Sequence, residues 1–320
     1  MTSVIPELSV VVSVYNEEEI LNEFYTILKS EIENLKITYE IIFVNDGSID
    51  SSIDILKKLS DSDKKLKVID FSRNFGHEAA MIAGIDYCTG NYVICMDSDL
   101  QHPPRLIAEM LSKANEGYDI INMVRLERKD GGLLKKITSK IFYKLLNNMA
   151  SVRFEENASD FFLISKKVAN ILRTQYRERT RFLRGIIQIV GFNKTNIEFV
   201  AEERKAGKSK YNFLKLLRLS FTAVSSFSKM PLQLGIVAGI IFLVLSLVLL
   251  IYSIIMWSMH KTIPGYTTLI VFLSAFAGIQ LFITGLIGQY IGYMFDEIKR
   301  RPIYSIGNTI NIESNNSEIE

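Results

Sequence analysis

Cysteine, tryptophan, histidine and proline are scarce in this chain, at 2, 1, 3 and 6 of 320 residues. The two cysteines, Cys88 and Cys95, both lie in apolar segments. They leave no disulfide framework and read as buried free thiols of a reducing compartment. Three histidines (His77, His102 and His260) are too few for a histidine-rich zinc site. An excess of either charge is missing too: the formal net charge is +2, so overall balance gives no case for a nucleic-acid partner. The first apolar run, Leu8–Tyr15, lacks the flanks of a secretory signal, because Glu7 precedes it and Glu17, Glu18 and Glu19 follow where small residues would be needed. What remains is a globular composition, 48% hydrophobic and 22% charged, in a length that suits one large domain and an attachment.

Charge vanishes altogether from Leu232 to Trp257 and from Thr262 to Phe295. Each stretch exceeds the ~20 apolar residues that cross ~30 Å of hydrocarbon. The connection around His260, Lys261, Pro264 and Gly265 is short, which predicts a helical hairpin with both ends on one side. Arg218 and Lys229 precede the pair and Lys299, Arg300 and Arg301 follow it, against Lys261 alone in the loop. The positive-inside bias then makes this a multi-pass protein of the inner (plasma) membrane with a cytoplasmic N-terminal domain and tail. Gly235 with Gly239, and Gly288 with Gly292, allow close helix approach, within the hairpin or against a second copy in a homo-oligomer. The predicted organisation is a cytoplasmic domain over 1–212, a juxtamembrane amphipathic helix over 213–230, spans over 231–258 and 265–295, and a cytoplasmic tail over 296–320. Past Ile303 the tail is rich in Asn, Ser and Glu and is expected to be disordered.

Ahead of the spans, strand-like runs (Leu8–Val14, Glu40–Val44, Leu66–Phe71, Tyr92–Met96, Asp119–Val124) alternate with helical patterns (Glu18–Leu35, Ser52–Leu59, Glu78–Tyr87, and one beginning after Pro103 and Pro104). Such alternation predicts an α/β domain with a mostly parallel sheet, whose ligands bind beyond the carboxyl ends of the strands. Polar residues gather at those ends: Tyr15-Asn16-Glu17, Asn45-Asp46-Gly47-Ser48, Ser72 to His77, and Asp97-Ser98-Asp99-Leu100-Gln101. Singly they are turn or cap residues; together they outline a site. Asp97 and Asp99, two apart at a strand end, share a side if extension continues, and two close carboxylates call for a cation between them. A hard divalent ion, Mg2+ or Mn2+, would take one or two carboxylates and complete its shell with a diphosphate and water.

These motifs resemble glycosyltransferase family two, with the nucleotide-binding fold called GT-A. The chain is similar in particular to dolichol-phosphate mannose synthases and bacterial polyprenyl-phosphate glucosyltransferases. The resemblance runs from Val10 to about Arg301. It rests on Val12 to Glu17, Val44 to Ser48, Ser72 to His77, Asp97 to Pro104, Ala158-Ser159-Asp160-Phe161 and Arg204 to Tyr211. It implies that Ser13, Tyr15, Glu17, Val44 and Asp46 line a nucleoside pocket. It implies that Asp97, Asp99 and Gln101 hold the metal, with Ser98 close to the donor. Arg125, Arg204 and Lys210 would contact donor or lipid phosphates, and Asp160 would sit near the acceptor. Asp99, Asp160 and Arg204 are the residues expected to carry catalysis. Ser13 stands where the family usually has proline. The glutamine–arginine–tryptophan motif of processive synthases is missing, since the one tryptophan is Trp257.

The implied reaction is inverting transfer of a hexose, glucose or a relative, from a nucleotide-sugar (UDP favoured over GDP) to a polyprenyl phosphate at a lipid surface. A phosphate monoester has a second pKa near ~6 and is largely anionic at neutral pH, so it needs little help from a base. The obstacle is bringing two anions together, at roughly 4 kcal/mol per charge pair at 4 Å and an effective dielectric near 20. Arg204, Lys205, Lys208 and Lys210 are suited to offset it, with Gly207 giving their loop freedom to close. The same cluster would also be drawn to anionic lipid in general. Asp160 reads as an orienting or weakly basic group, or as a turn cap. Leu133–Leu146 and Phe213–Phe227 mix lysine or arginine with apolar residues, as interfacial helices or as helices packed on the domain. Two other readings stay open: an acceptor hydroxyl on a glycan or protein, and a non-catalytic nucleotide-sugar-binding scaffold.

Overall fold

The computed structural model describes residues 5–126, 155, 158–179, 183–200, 230–259 and 265–312. The chain forms an α/β unit (Met1–Asn147, Ser151–Asn212 and Pro302–Glu320) and a helical unit (Asn148–Ala150 and Phe213–Arg301). Arg204, Lys205, Lys208 and Lys210, with the segments Leu133–Leu146 and Phe213–Phe227, lie outside the described residues.

In the α/β unit the strands are β1 (Leu8–Val14), β2 (Tyr39–Asn45), β3 (Leu66–Phe71), β4 (Tyr92–Asp97), β5 (Ile120–Arg125), β6 (Ala158–Ser165), β7 (Lys194–Phe199) and β8 (Ile306–Ile310). They form one sheet in the order β7-β5-β6-β4-β1-β2-β3-β8. The pairs β1–β2, β1–β4, β2–β3 and β5–β7 are parallel, whereas β6 runs antiparallel to both β4 and β5, and β8 antiparallel to β3. The central strands are continuous apolar runs because helices cover both faces.

Side-chain alternation sorts the residues between those faces. One face carries Val10, Val12, Val14, Ile41, Phe43, Ile94, Met96, Phe161 and Leu163 into the main core. Covering it are α1 (Leu21–Asn34), α2 (Ser52–Ser62) and α4 (Ile107–Asn115), the last entered through a 3-10 turn at Pro104–Leu106. Phe24 of α1 packs edge-on against Phe43, with ring centroids 6.2 Å apart. The opposite face carries Val11, Ile42, Val44, Val93 and Cys95, under α3 (His77–Tyr87) and α5 (Lys166–Thr174). Helix α3 is buried nearly all round and built of small residues, so it lies close to the sheet. A Cβ on Gly84 would fall 2.0 Å from Val11 Cγ1. A short helix, α6 (Leu183–Ile189), contacts β6.

The tail differs from the disorder its composition suggests. Residues 306–310 form β8, with Val68 opposite Ile310 and Phe71 opposite Ile306. The Tyr304 ring stacks on Phe71 at 5.2 Å and 12°. Asn311 Nδ2 donates to the carbonyls of Ser60 and Leu66, at 2.8 and 2.9 Å. Composition misleads here because an edge strand is held mainly by its backbone, which asparagine and threonine supply as well as any residue.

The helical unit contains α7 (Met230–Ser258) and α8 (Tyr266–Ile298), about 44 and 50 Å long at ~1.5 Å per residue. Phe242 meets Phe276 edge-on at 6.0 Å, and a Cβ on Gly235 would lie 3.3 Å from Ile283 Cγ2. Gly239, Gly288 and Gly292 face open space. Among the described residues one stretch, Ala275–Ile298, has the length and apolarity of a membrane span, and none of it is buried within the protein. Helix α8 runs three residues past the expected end at 295, through Asp296 and Glu297.

Gly84→Ala is expected to destabilise the α/β unit by about 1–3 kcal/mol despite the better helix propensity of alanine, because β-branched Val11 cannot swing clear. Thermal melts in detergent should show that adding Val11→Ala recovers part of the loss, so that the two effects do not add.

Candidate active site

Register brings three polar side chains to one edge of the sheet. Ser13 on β1 pairs with Asp97 on β4, and Cys95 pairs with Phe162 on antiparallel β6. Asp160 therefore lies two residues further along, on the same face and at the same edge as Asp97. Against all three stands His77, the first residue of α3. Its Nδ1 is 2.8 Å from Ser13 Oγ and 3.5 Å from Asp97 Oδ1, and its Nε2 is 3.9 Å from Asp160 Oδ2.

His77 is delivered by the loop after β3, which is held by Asp46. The backbone N–H groups of Phe75 and Gly76 donate to the Asp46 carboxylate at 2.6 and 3.0 Å, and Asn74 Nδ2 donates to the Asp46 carbonyl. The neighbouring turn residue must be glycine: Gly47 has φ +63, and a Cβ there would sit 2.5 Å from the Arg73 carbonyl carbon. The loop after β1 is stitched to the same region. Asn16 takes φ 55, its Oδ1 accepts from Ile49 N–H at 2.9 Å, and its own N–H donates to Ser48 Oγ. The Glu17 N–H donates to Ser52 Oγ at 3.0 Å. Tyr15 is exposed, whereas Val44 is wholly buried within the sheet, so its side chain adds nothing to the site surface.

The acidic pair does not continue the strand. β4 ends at Asp97, the chain bends, and Leu100 takes a left-handed φ of 59, uncommon for a residue with a side chain. The Asp99 carboxylate turns back to accept from the Gln101 N–H at 3.1 Å. Extension was expected to set the two carboxylates side by side; the bend relates them instead. His102 pins this bend. It is fully buried, its Nδ1 accepts from the Asp97 N–H at 3.0 Å, and its Nε2 lies 2.7 Å from Ser159 Oγ and 3.0 Å from Arg125 Nη2. Arg125 Nη1 also reaches Gln101 Oε1 at 3.5 Å, and Ser98 Oγ donates to the Ser13 carbonyl.

Charge is unevenly compensated across this edge. Asp160 is gripped by Arg184, with Nε donating to Oδ1 at 2.9 Å and Nη2 to Oδ2 at 2.6 Å. Burial alone would raise its pKa, but Arg184 and His77 hold it at about 2. Asp97 goes the other way: burial pushes its pKa up, His77 only partly offsets this, and Asp160 and Asp99 push it further. Burial would discharge His77, yet Asp97, Asp160 and Glu78 together raise its pKa. Burial and the neighbouring Arg125 push His102 well below its ordinary value, which keeps the ring neutral.

A divalent cation fits this imbalance. Asp97 carries more negative surroundings than its own partners relieve, and Asp99 and the Gln101 carbonyl oxygen belong to the same bend. Among the described residues no group of three or more His, Cys, Asp and Glu side chains is arranged to hold a metal. A site with two carboxylates is what magnesium uses when substrate phosphates and water complete the shell.

Of the residues singled out in the sequence, Ser13, Asp97, Ser98, Asp99, Gln101, Arg125 and Asp160 come together; Tyr15, Glu17 and Asp46 flank them. Arg204 and Lys210 lie outside the described residues. Four participants carried no assigned role from sequence: His77, His102, Ser159 and Arg184. The first three lie within the blocks that carry the family resemblance. Arg184 follows Asp160 by 24 residues with nothing in the spacing to link them.

Residues 9–172 match the family model described as Glycosyl transferase family 2. The chain is 42% identical over 313 residues to the "Uncharacterized glycosyltransferase YkcC" of Bacillus subtilis, covering 96% of this chain and 95% of that one. It is 38% identical over 307 residues to the "Prophage bactoprenol glucosyl transferase homolog" of Escherichia coli, covering 94% and 98%. Among solved structures, mannosyl-3-phosphoglycerate synthase from Rubrobacter xylanophilus aligns with a TM-score of 0.48 at 13% identity, over 68% of this chain and 72% of that one.

Replacing Arg184 by Gln removes the guanidinium that keeps Asp160 ionised, so the Asp160 pKa rises under burial. The variant is expected to lose activity most at low pH, where Asp160 now takes up a proton. A turnover profile from pH 5.5 to 8 should show the acid limb displaced to higher pH than in the wild type, whose own limb is set by the acceptor phosphate at ~6. A profile parallel to the wild type would mean that Arg184 does not act through Asp160.

Proposed function

Because the chain belongs to glycosyl transferase family 2, we propose that it moves a hexosyl group from a nucleotide-sugar onto a polyprenyl phosphate at the cytoplasmic face of the inner membrane. Glucose is the first candidate sugar, on the strength of the E. coli relative's name, and UDP-glucose the donor favoured by the sequence resemblance. The observation that carries the acceptor class is the Arg184–Asp160 pair. A carboxylate held at about 2 has almost no proton affinity at neutral pH, so it is a poor base for a sugar or protein hydroxyl. An acceptor already ionised suits it, and a phosphate monoester is one.

In this reading a phosphate oxygen of the lipid attacks the anomeric carbon, the bond from that carbon to the diphosphate oxygen breaks, and the nucleoside diphosphate leaves with the electron pair, inverting the centre. Asp97, Asp99 and Gln101 would hold a divalent ion, Mg2+ or Mn2+, which when bound neutralises charge on the departing diphosphate. Ser13, Tyr15, Glu17 and Asp46 are assigned to the nucleoside side of the site, where the Glu17 N–H and the Asp46 carboxylate also fix the loops after β1, β2 and β3 against one another. Ser98 is assigned a place close to the donor, and Arg125 a contact with donor or lipid phosphates. Asp160, fixed by Arg184, orients the reacting groups, and His77, its pKa raised by Asp97, Asp160 and Glu78, stands between Asp97 and Asp160. Arg204 and Lys210 are assigned to the acceptor phosphate from the sequence pattern.

Chain connectivity supports two membrane crossings. Phe199 in β7 and Ile306 in β8 belong to one sheet, although α7 and α8 lie between them in the chain. A chain that leaves a soluble domain and returns to it crosses a bilayer an even number of times. If Ala275–Ile298 is one crossing, α7 is the other. Lys299, Arg300 and Arg301 directly follow α8 and are exposed, which favours the cytoplasm for the sheet.

Purified protein in lipid nanodiscs, given undecaprenyl phosphate, Mg2+ and a panel of nucleotide-sugars, should yield a glycolipid identified by mass spectrometry. Chelation with EDTA should abolish it. Asp99→Asn should lower turnover by on the order of 100-fold at unchanged melting temperature. Transfer to a glycan or protein hydroxyl, with none to the lipid, would replace this acceptor by the alternative.

A further inference from the structure

The returning tail is tied to the catalytic domain by more than its strand. The Tyr304 hydroxyl donates to Asp86 Oδ2 at 2.7 Å, near the end of α3 opposite His77. The Asp86 side chain is almost completely buried and also accepts a bidentate pair from Arg177, at 2.8 and 3.0 Å. Arg177 lies seven residues ahead of Arg184, whose fork holds Asp160. The same stretch is tied to the other end of α3, where the Leu183 N–H donates to Glu78 at 2.9 Å. A buried carboxylate with three charge-assisted bonds is a rigid joint, and loss of one donor is felt by the others. On its other side the Tyr304 ring lies flat on Phe71, and Phe71 meets Phe75 edge-on at 5.6 Å, in the loop that delivers His77.

We propose that Tyr304 is a positioning residue for the reaction: through Asp86 and Arg177 it sets the segment from which Arg184 holds Asp160. The polar half of the contact acts on Arg184, and the stacked half on the His77 loop. Five residues, Lys299 to Ile303, separate Tyr304 from the end of α8. The inference uses the proposed lipid-phosphate transfer as its kinetic readout, and hydrogen exchange reads it independently of any substrate.

Tyr304→Phe keeps the ring stack and removes only the hydroxyl, so the fold is expected to survive. We expect kcat to fall about tenfold, the scale of one hydrogen bond to a charged group, with the donor KM within about twofold of wild type. Backbone amides of α6 (Leu183–Ile189) should exchange faster although Tyr304 is far away in sequence. The double variant Tyr304→Phe with Arg177→Met should be no slower than Arg177→Met alone. Wild-type kcat in Tyr304→Phe, unchanged exchange in α6, or effects that multiply in the double variant would each overturn the proposal. Should Tyr304→Phe fail to fold, isosteric Asp86→Asn carries the same three readouts with the same expected and overturning results. If the wild type makes no lipid product, the assigned reaction fails, while the exchange result still decides the role of Tyr304.

Discussion

The structure turns on an electrostatic imbalance at the carboxyl edge of one sheet. Asp97, Asp99, Asp160 and Glu78 are drawn together where burial makes negative charge costly, and His77, Arg125 and Arg184 answer them unequally. Asp160 receives a guanidinium fork and stays ionised. Asp97 receives a histidine shared with two other groups and is left with its pKa raised. Among the described residues the edge is only partly neutralised. Two nearby carboxylates with separate partners thus sit in opposite electrostatic settings, an arrangement suited to separate roles.

Much of the scaffold could be read from the chain, and the reasons are local. β1 to β4 are apolar runs closed by polar clusters, and their helices carry regular apolar spacing, so each element declares itself. The starts of α1 and α3 shift by only one to three residues. β6, β7 and β8 do not declare themselves. Ala158–Phe161 reads as a motif block rather than the start of a strand, and the place of β6 between β4 and β5 depends on pairings distant in sequence. The bend after Asp97 is equally silent, since Leu100 gives no sign of a left-handed backbone.

The site residues divide in the same way. Asp97 and Asp99 stand out because exposed-type residues at the end of an apolar run are conspicuous, whereas Asp160 was singled out only by the family resemblance. Asp46 looked like half of a turn, and its work is to hold the loop that carries His77. His102, fully buried, supports the bend from behind. Such supporting groups leave little trace in a pattern, because their partners are scattered: His102 reaches Arg125 and Ser159, and Asp86 reaches Arg177 and Tyr304.

The position of β8 also bears on how the molecule is made. Its residues are the last part of the sheet to leave the ribosome, after both long apolar helices have emerged. Until then the outer side of β3 has unpaired backbone groups, a surface other chains can join. Completion of the domain therefore follows translation of the apolar segments rather than preceding it, and a nascent chain that stalls after α8 would expose an adhesive edge.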